Sequence, residues 1–138
     1  MHFSRAGEAI AATGGQTLAR WLALEMVANR PVTVAHIARG LDLTRQSVQR
    51  IADLLEQDGL TEYVDNPDHQ RSRLVRITAH GRQVLRTIQG AQDIWADGIS
   101  AEIGEANLHH AGDVIDQLTR MLTRRGPQSL DGLSKRRR

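Results

Sequence analysis

The chain has 138 residues, 40% hydrophobic and only 3% aromatic, enough for one globular domain whose core must be aliphatic. It contains no cysteine, which excludes disulfides, thiolate metal sites and a thiol-based redox switch. The net charge is +2, but residues 124–138 carry six Lys or Arg against one Asp, leaving residues 1–123 at −3; any nucleic-acid reading must therefore rest on where the arginines stand.

The first fifteen residues carry little pattern, and Gly14-Gly15 is expected to break any helix there. No apolar run is long enough to span a bilayer, and the start lacks a charged-then-apolar leader, so a cytoplasmic protein with no membrane partner is expected. Gln16 to Asn29 reads as an amphipathic helix with Leu18, Trp21, Leu22 and Ala28 on one side, stopped at Arg30-Pro31. Thr33 can cap the next helix, which carries Val34, Ile37 and Ala38. Ala35 and Ala38 are small enough for a close helix crossing, and Gly40 is expected to end this helix in the left-handed conformation.

Thr44 stands where a second N-cap belongs. Beyond it, Val48, Ile51, Leu54 and Leu55 form an apolar stripe, while Arg45, Gln46, Gln49 and Arg50 point the other way. Gly59 is expected to close the helix. Leu60–Val64 and Arg73–Ile77 then read as the strands of a hairpin, with Val75 and Ile77 on one face and a polar tip containing Asn66-Pro67. Arg76, on the strand, is expected to pair with a nearby acid. Thr78 can cap a long helix bearing Val84, Leu85, Ile88, Ala91, Trp95 and Ile99 at helical spacing. A last helix is predicted from about Glu102 to the Met121 region, with Leu108, Ile115, Leu118 and Leu122 as its stripe.

A short helix that buries one side and offers Arg and Gln on the other suits the DNA major groove, where Arg forks onto guanine and Gln onto adenine. Beside a hairpin with a basic tip it makes a winged helix-turn-helix, so the expected fold is mainly α with a small β-hairpin wing. The runs Leu43-Thr44-Arg45-Gln46-Ser47-Val48-Gln49-Arg50, Leu54-Leu55-Glu56-Gln57-Asp58-Gly59-Leu60, Asn66-Pro67-Asp68 and Arg71-Ser72-Arg73-Leu74-Val75-Arg76-Ile77-Thr78 resemble the MarR family. That resemblance implies a bacterial dimeric transcription factor, usually a repressor, often released from DNA by a small ligand. The family's wing carries an Asp two residues before the arginine that Arg71 matches; here that position is His69, with Asp68 one place earlier.

The expected DNA contacts are Thr44, Arg45, Gln46, Ser47, Gln49, Arg50, Arg71 and Arg73, the last two through phosphates or the minor groove. Thr44 and Ser47 are partly accounted for by capping. Trp21 and Trp95 could line a pocket for a small aromatic or anionic effector, or could equally be core filler. Adjacent His109 and His110 diverge on a helix and make a poor chelating pair, so neither metal nor cofactor is expected. No nucleophile motif, glycine-rich phosphate loop or paired-carboxylate spacing points to an enzyme.

The expected organisation is a helical region over 1–30, the winged helix-turn-helix over 31–78, C-terminal helices for homodimerisation over 79–125, and a disordered basic tail over 126–138. The expected partner is double-stranded DNA with a roughly palindromic operator. The competing reading is a protein-interaction or architectural module with weak sequence preference.

Overall fold

The computed structural model describes residues 2–69 and 71–124. They form two compact units that divide between Ile94 and Trp95.

In the first unit, α1 (His2–Thr13) ends where Gly14-Gly15 was expected to end it, and Gly15 adopts φ +69°. Helix α2 (Leu18–Val27) begins later than the predicted Gln16, because Thr17 caps it: its hydroxyl accepts the Arg20 amide at 3.4 Å. Its buried side is Trp21, Ala23, Leu24 and Val27. Leu22, expected in the core stripe, is exposed, since the helical rotation from Trp21 and Leu24 carries it to the outer face.

Strand β1 (Val32–Thr33) was not expected. Thr33 also caps α3 (Val34–Leu41), accepting the His36 amide at 3.2 Å. The left-handed residue that ends α3 is Asp42 (φ 53°, ψ 43°), not the expected Gly40. Gly40 lies inside the helix, where a Cβ would come 2.6 Å from Met26 Cε, the movable end of a flexible side chain.

Helix α4 (Arg45–Gln57) buries Val48, Ala52 and Leu55 with Ile51 half-buried, whereas Leu54, expected on that stripe, is 39% exposed. Its buried residues recur at spacings of three and four, and Leu54 falls one residue off that row. Gly59 (φ +70°) turns the chain into β2 (Thr61–Val64), which pairs with β3 (Leu74–Ile77). With β1 on the other side of β3, these make a three-stranded antiparallel sheet in the order β1-β3-β2.

The register Thr61↔Ile77 and Tyr63↔Val75 puts these four residues on the inner face, while Glu62↔Arg76 faces outward. Leu24, Ile37, Val48, Leu55, Leu60, Val75 and Ile88 are fully buried in one core. Burial of each such side chain is worth about 1.5–3 kcal/mol. Thr78 caps α5 (Ala79–Ile103), its hydroxyl accepting the Gly81 amide at 3.0 Å and donating to the Gly59 carbonyl at 2.7 Å.

The second unit holds the end of α5 and α6 (Glu105–Arg124). The helices part at Gly104 (φ +84°) rather than near Glu102, which still belongs to α5; Gly98 and Gly112 lie within helices without interrupting them. Ile115 is 61% exposed, and Ile103, Val114, Leu118 and Met121 are exposed as well. Leu108 is half-buried. The Leu122 side chain and the basic tail over 126–138 lie outside the described residues. Among the described residues no helix is long and apolar enough to cross a membrane.

Candidate nucleic-acid interface

The exposed face of α4 is built by its cap and its supports. Thr44 Oγ1 accepts the Ser47 amide at 3.1 Å and sits 2.8 Å from Ser47 Oγ, so both hydroxyls are engaged at the helix start. The remaining first-turn amides and the helix dipole make that end favourable to an anion. Helices α2 and α3 pack against α4, and an Arg20–Asp58 ion pair ties α2 to its C-cap. Arg45, Gln46, Gln49 and Arg50 all lie exposed.

The wing tip is shaped by backbone bonds. Asn66 Oδ1 accepts the Asp68 amide at 3.1 Å, the Asn66 carbonyl accepts the His69 amide at 3.2 Å, and the His69 carbonyl accepts the Ser72 amide at 3.0 Å. Arg71 is exposed; among the described residues the ion pairs are Arg20–Asp58 and Arg76–Glu62, so no carboxylate holds its guanidinium. Arg73, by contrast, donates through Nη2 to the Tyr63 carbonyl at 2.8 Å and lies 5.0 Å from the Tyr63 ring centroid. Arg76 bonds Glu62 through Nε at 3.0 Å, the structural pairing its strand position suggested.

Helix α4 and the wing enclose an open trough of about 720 Å³. Arg45, Gln46 and Gln49 line it from the helix, and Arg71, Ser72 and Arg73 from the wing, with Val34 and Ala35 of α3. The structure thus brings together five of the eight expected contact residues. Thr44 and Ser47 stand at the helix start, and Arg50 lies exposed on α4 outside the trough lining.

Three further lining residues, Asp53, Glu56 and Tyr63, escaped the sequence reading. Gln49 Nε2 lies 2.8 Å from Asp53 Oδ1 and 2.7 Å from the Tyr63 hydroxyl, which itself donates to Asp53 Oδ1 at 2.8 Å. Burial, then the hydrogen bond and negative charge of Asp53, push the Tyr63 phenol well above its ordinary range, so it stays a donor. Glu56 pushes the same way, and the Gln49 hydrogen bond opposes them. The available signal was the spacing of four between Gln49 and Asp53, which are neighbours on a helix surface. Tyr63 gave none, because its place beside α4 depends on sheet register.

Trp21 is buried, its Nε1 donating to Glu25 Oε1 at 3.0 Å, while Trp95, in the second unit, is 40% exposed. His109 Nδ1 lies 3.2 Å from the Glu105 carbonyl. Among the described residues no group of three or more His, Cys, Asp or Glu is arranged to hold a metal.

Residues 15–72 match the family model described as the MarR family. An uncharacterized protein of Mycobacterium tuberculosis is 49% identical over 84 residues, 61% of this chain and 59% of that protein. The chain therefore covers less than two thirds of that relative's length.

A crystal structure of a MarR family transcription regulator superposes with a TM-score of 0.81 at 24% identity, over 87% of this chain and 80% of the other. Staphylococcus aureus MarR in complex with salicylate and kanamycin gives 0.78 at 15% identity, over 91% and 85%. The transcriptional repressor CouR, bound to a 23-mer DNA duplex, gives 0.77 at 20% identity, over 86% and 84%. These structures share the winged helix-turn-helix fold of this chain.

Proposed function

We propose that this winged helix-turn-helix chain, whose residues 15–72 match the MarR family model, is a MarR-family protein and a sequence-specific double-stranded DNA-binding transcriptional regulator. The observation that carries this reading is the trough between α4 and the wing, which faces an Arg/Gln helix surface toward an exposed wing arginine, Arg71. Helix α4 enters the major groove, where Arg45, Gln46, Gln49 and Arg50 meet base edges. Thr44 and Ser47, at the helix start, meet a phosphate. Arg71 reaches the flanking minor groove, and Arg73, with one Nη spent on Tyr63, offers its remaining donors to the backbone.

The exposed apolar residues of the second unit support assembly as a homodimer through residues 79–125. Two-fold symmetry then calls for a roughly palindromic operator. By analogy with the repressor CouR and with salicylate-bound MarR, the protein acts as a repressor relieved by a small aromatic or anionic effector. Such a ligand weakens operator binding only through its differential affinity for the free and DNA-bound forms.

The test is a binding-site selection on random duplex, followed by the ratio of affinities for the selected operator and random DNA. A regulator gives a ratio of roughly 10³ or more. A ratio near one returns the protein to an architectural or protein-interaction role.

A further inference from the structure

The Gln49–Asp53–Tyr63 cluster has a consequence for which base Gln49 reads. A glutamine amide is degenerate: turned one way it offers an acceptor to a base, turned the other way a donor. A carboxylate can only accept, so the atom of Gln49 that lies 2.8 Å from Asp53 Oδ1 must be the nitrogen. The Tyr63 hydroxyl spends its own proton on the same Asp53 oxygen and therefore also receives from Gln49. Nε2, the phenol oxygen and Oδ1 close a nearly equilateral triangle of sides 2.7–2.8 Å. The amide nitrogen is thus anchored at two points, one on its own helix and one on the wing strand.

We propose that Asp53 and Tyr63 are specificity-determining residues that act through Gln49, locking its amide so that the oxygen is the atom given to the major groove. A fixed acceptor selects a base with an exocyclic amino group there, adenine N6 or cytosine N4, and rejects guanine and thymine, which present oxygen acceptors to it. The two residues are positioning groups and touch no base. Arg73 adds to the same support, since it packs over the Tyr63 ring. The inference rests on the reading that α4 contacts DNA bases.

The experiment uses the full-length protein and its selected operator, with all four base pairs placed in turn at each half-site position. Wild type should discriminate about tenfold or more at the Gln49 position, identified as the one where Gln49→Ala loses its preference. Tyr63→Phe and Asp53→Ala should each flatten preference at that same position, read as the ratio of affinities among the four duplexes, which a uniform change in DNA affinity does not move. Adding Gln49→Glu to Asp53→Ala should restore the preference, because a carboxylate in place of the amide accepts in either orientation.

Unaltered profiles in Tyr63→Phe and Asp53→Ala, against a wild type that discriminates, overturn this inference alone. Equal losses on every duplex do the same, reducing the pair to structural support. A wild type that prefers no duplex over random overturns the DNA-reading function itself and this inference with it.

Discussion

Arg73 lies across Tyr63, its guanidinium 5.0 Å from the ring centroid and its Nη2 bonded to the Tyr63 carbonyl at 2.8 Å, so the two arginines of the wing are not equivalent. Arg71, two residues earlier, is exposed and takes part in neither ion pair found among the described residues. Arg71→Ala should weaken binding on all sequences and lower the salt slope by about one counterion. Arg73→Ala should loosen the wing, read as faster amide exchange in β2 and β3, with a smaller change of slope. Equal slopes for Arg71→Ala and wild type would show that the wing stays off the DNA.

On α4 the exposed side chains should act on sequence. Gln46→Ala and Arg50→Ala are each expected to cost about 1–3 kcal/mol at particular base pairs and little elsewhere, if each makes a bidentate base contact. Competition binding against single-substitution operators measures this. A uniform loss would reassign the residue concerned to the phosphate backbone.

Tyr63 is the only tyrosine in the chain, so its alkaline titration can be followed by phenolate absorbance without overlap from another phenol. Its ionisation should lie well above the ordinary value of about 10. Below pH 10 both folded and unfolded tyrosine hold the proton, and stability is indifferent to this group. Above it the unfolded chain gives up a proton that the folded one retains, so stability falls as pH rises. Asp53→Ala should bring the titration back toward the ordinary value; a titration near 10 in the wild type would mean the triangle with Asp53 and Gln49 does not persist in solution.

Gly81 begins α5 so close to β2 that a Cβ there would sit 2.0 Å from the Leu60 carbonyl oxygen and 2.9 Å from Ile77 Cγ1. The Leu60 carbonyl also accepts the Thr78 amide, so it cannot retreat without loss of that bond. Gly81→Ala should destabilise the protein by about 1–3 kcal/mol or more, measured by denaturant unfolding. Ala at Gly90, where nothing lies within 4 Å of the added carbon, is the matched control and should cost nothing.

Assembly should depend on the apolar residues of α6. Wild type is expected to sediment as a dimer, and Ile115→Asp with Leu118→Asp to sediment as a monomer, because charge on these exposed positions is tolerated only if no partner covers them. A wild-type monomer would remove the reason for a palindromic operator.

Local signals in the sequence determined much of this protein. Thr33, Thr44 and Thr78 cap their helices as read, because a cap needs only a hydroxyl and an amide a few residues apart. Gly59 turns left-handed as read, and Val75 and Ile77 share the buried face because strand alternation is a local rule. Arg76 found its acid for the same reason, Glu62 being its direct cross-strand partner.

What tertiary structure alone decided were the properties that depend on who packs against whom. Gly40 looked like a helix terminator, but it lies inside α3 against the Met26 side chain of another helix, and Asp42 takes the turn. Leu22 and Leu54 are apolar yet exposed, since pattern sets a helix's stripe only to within a residue, and its neighbours choose the row that is covered. The trough followed the same logic. Arg45, Gln46 and Gln49 were visible as one helix face, but Tyr63 came to Gln49 through fourteen residues of chain and a strand register, a distance over which no periodicity carries information.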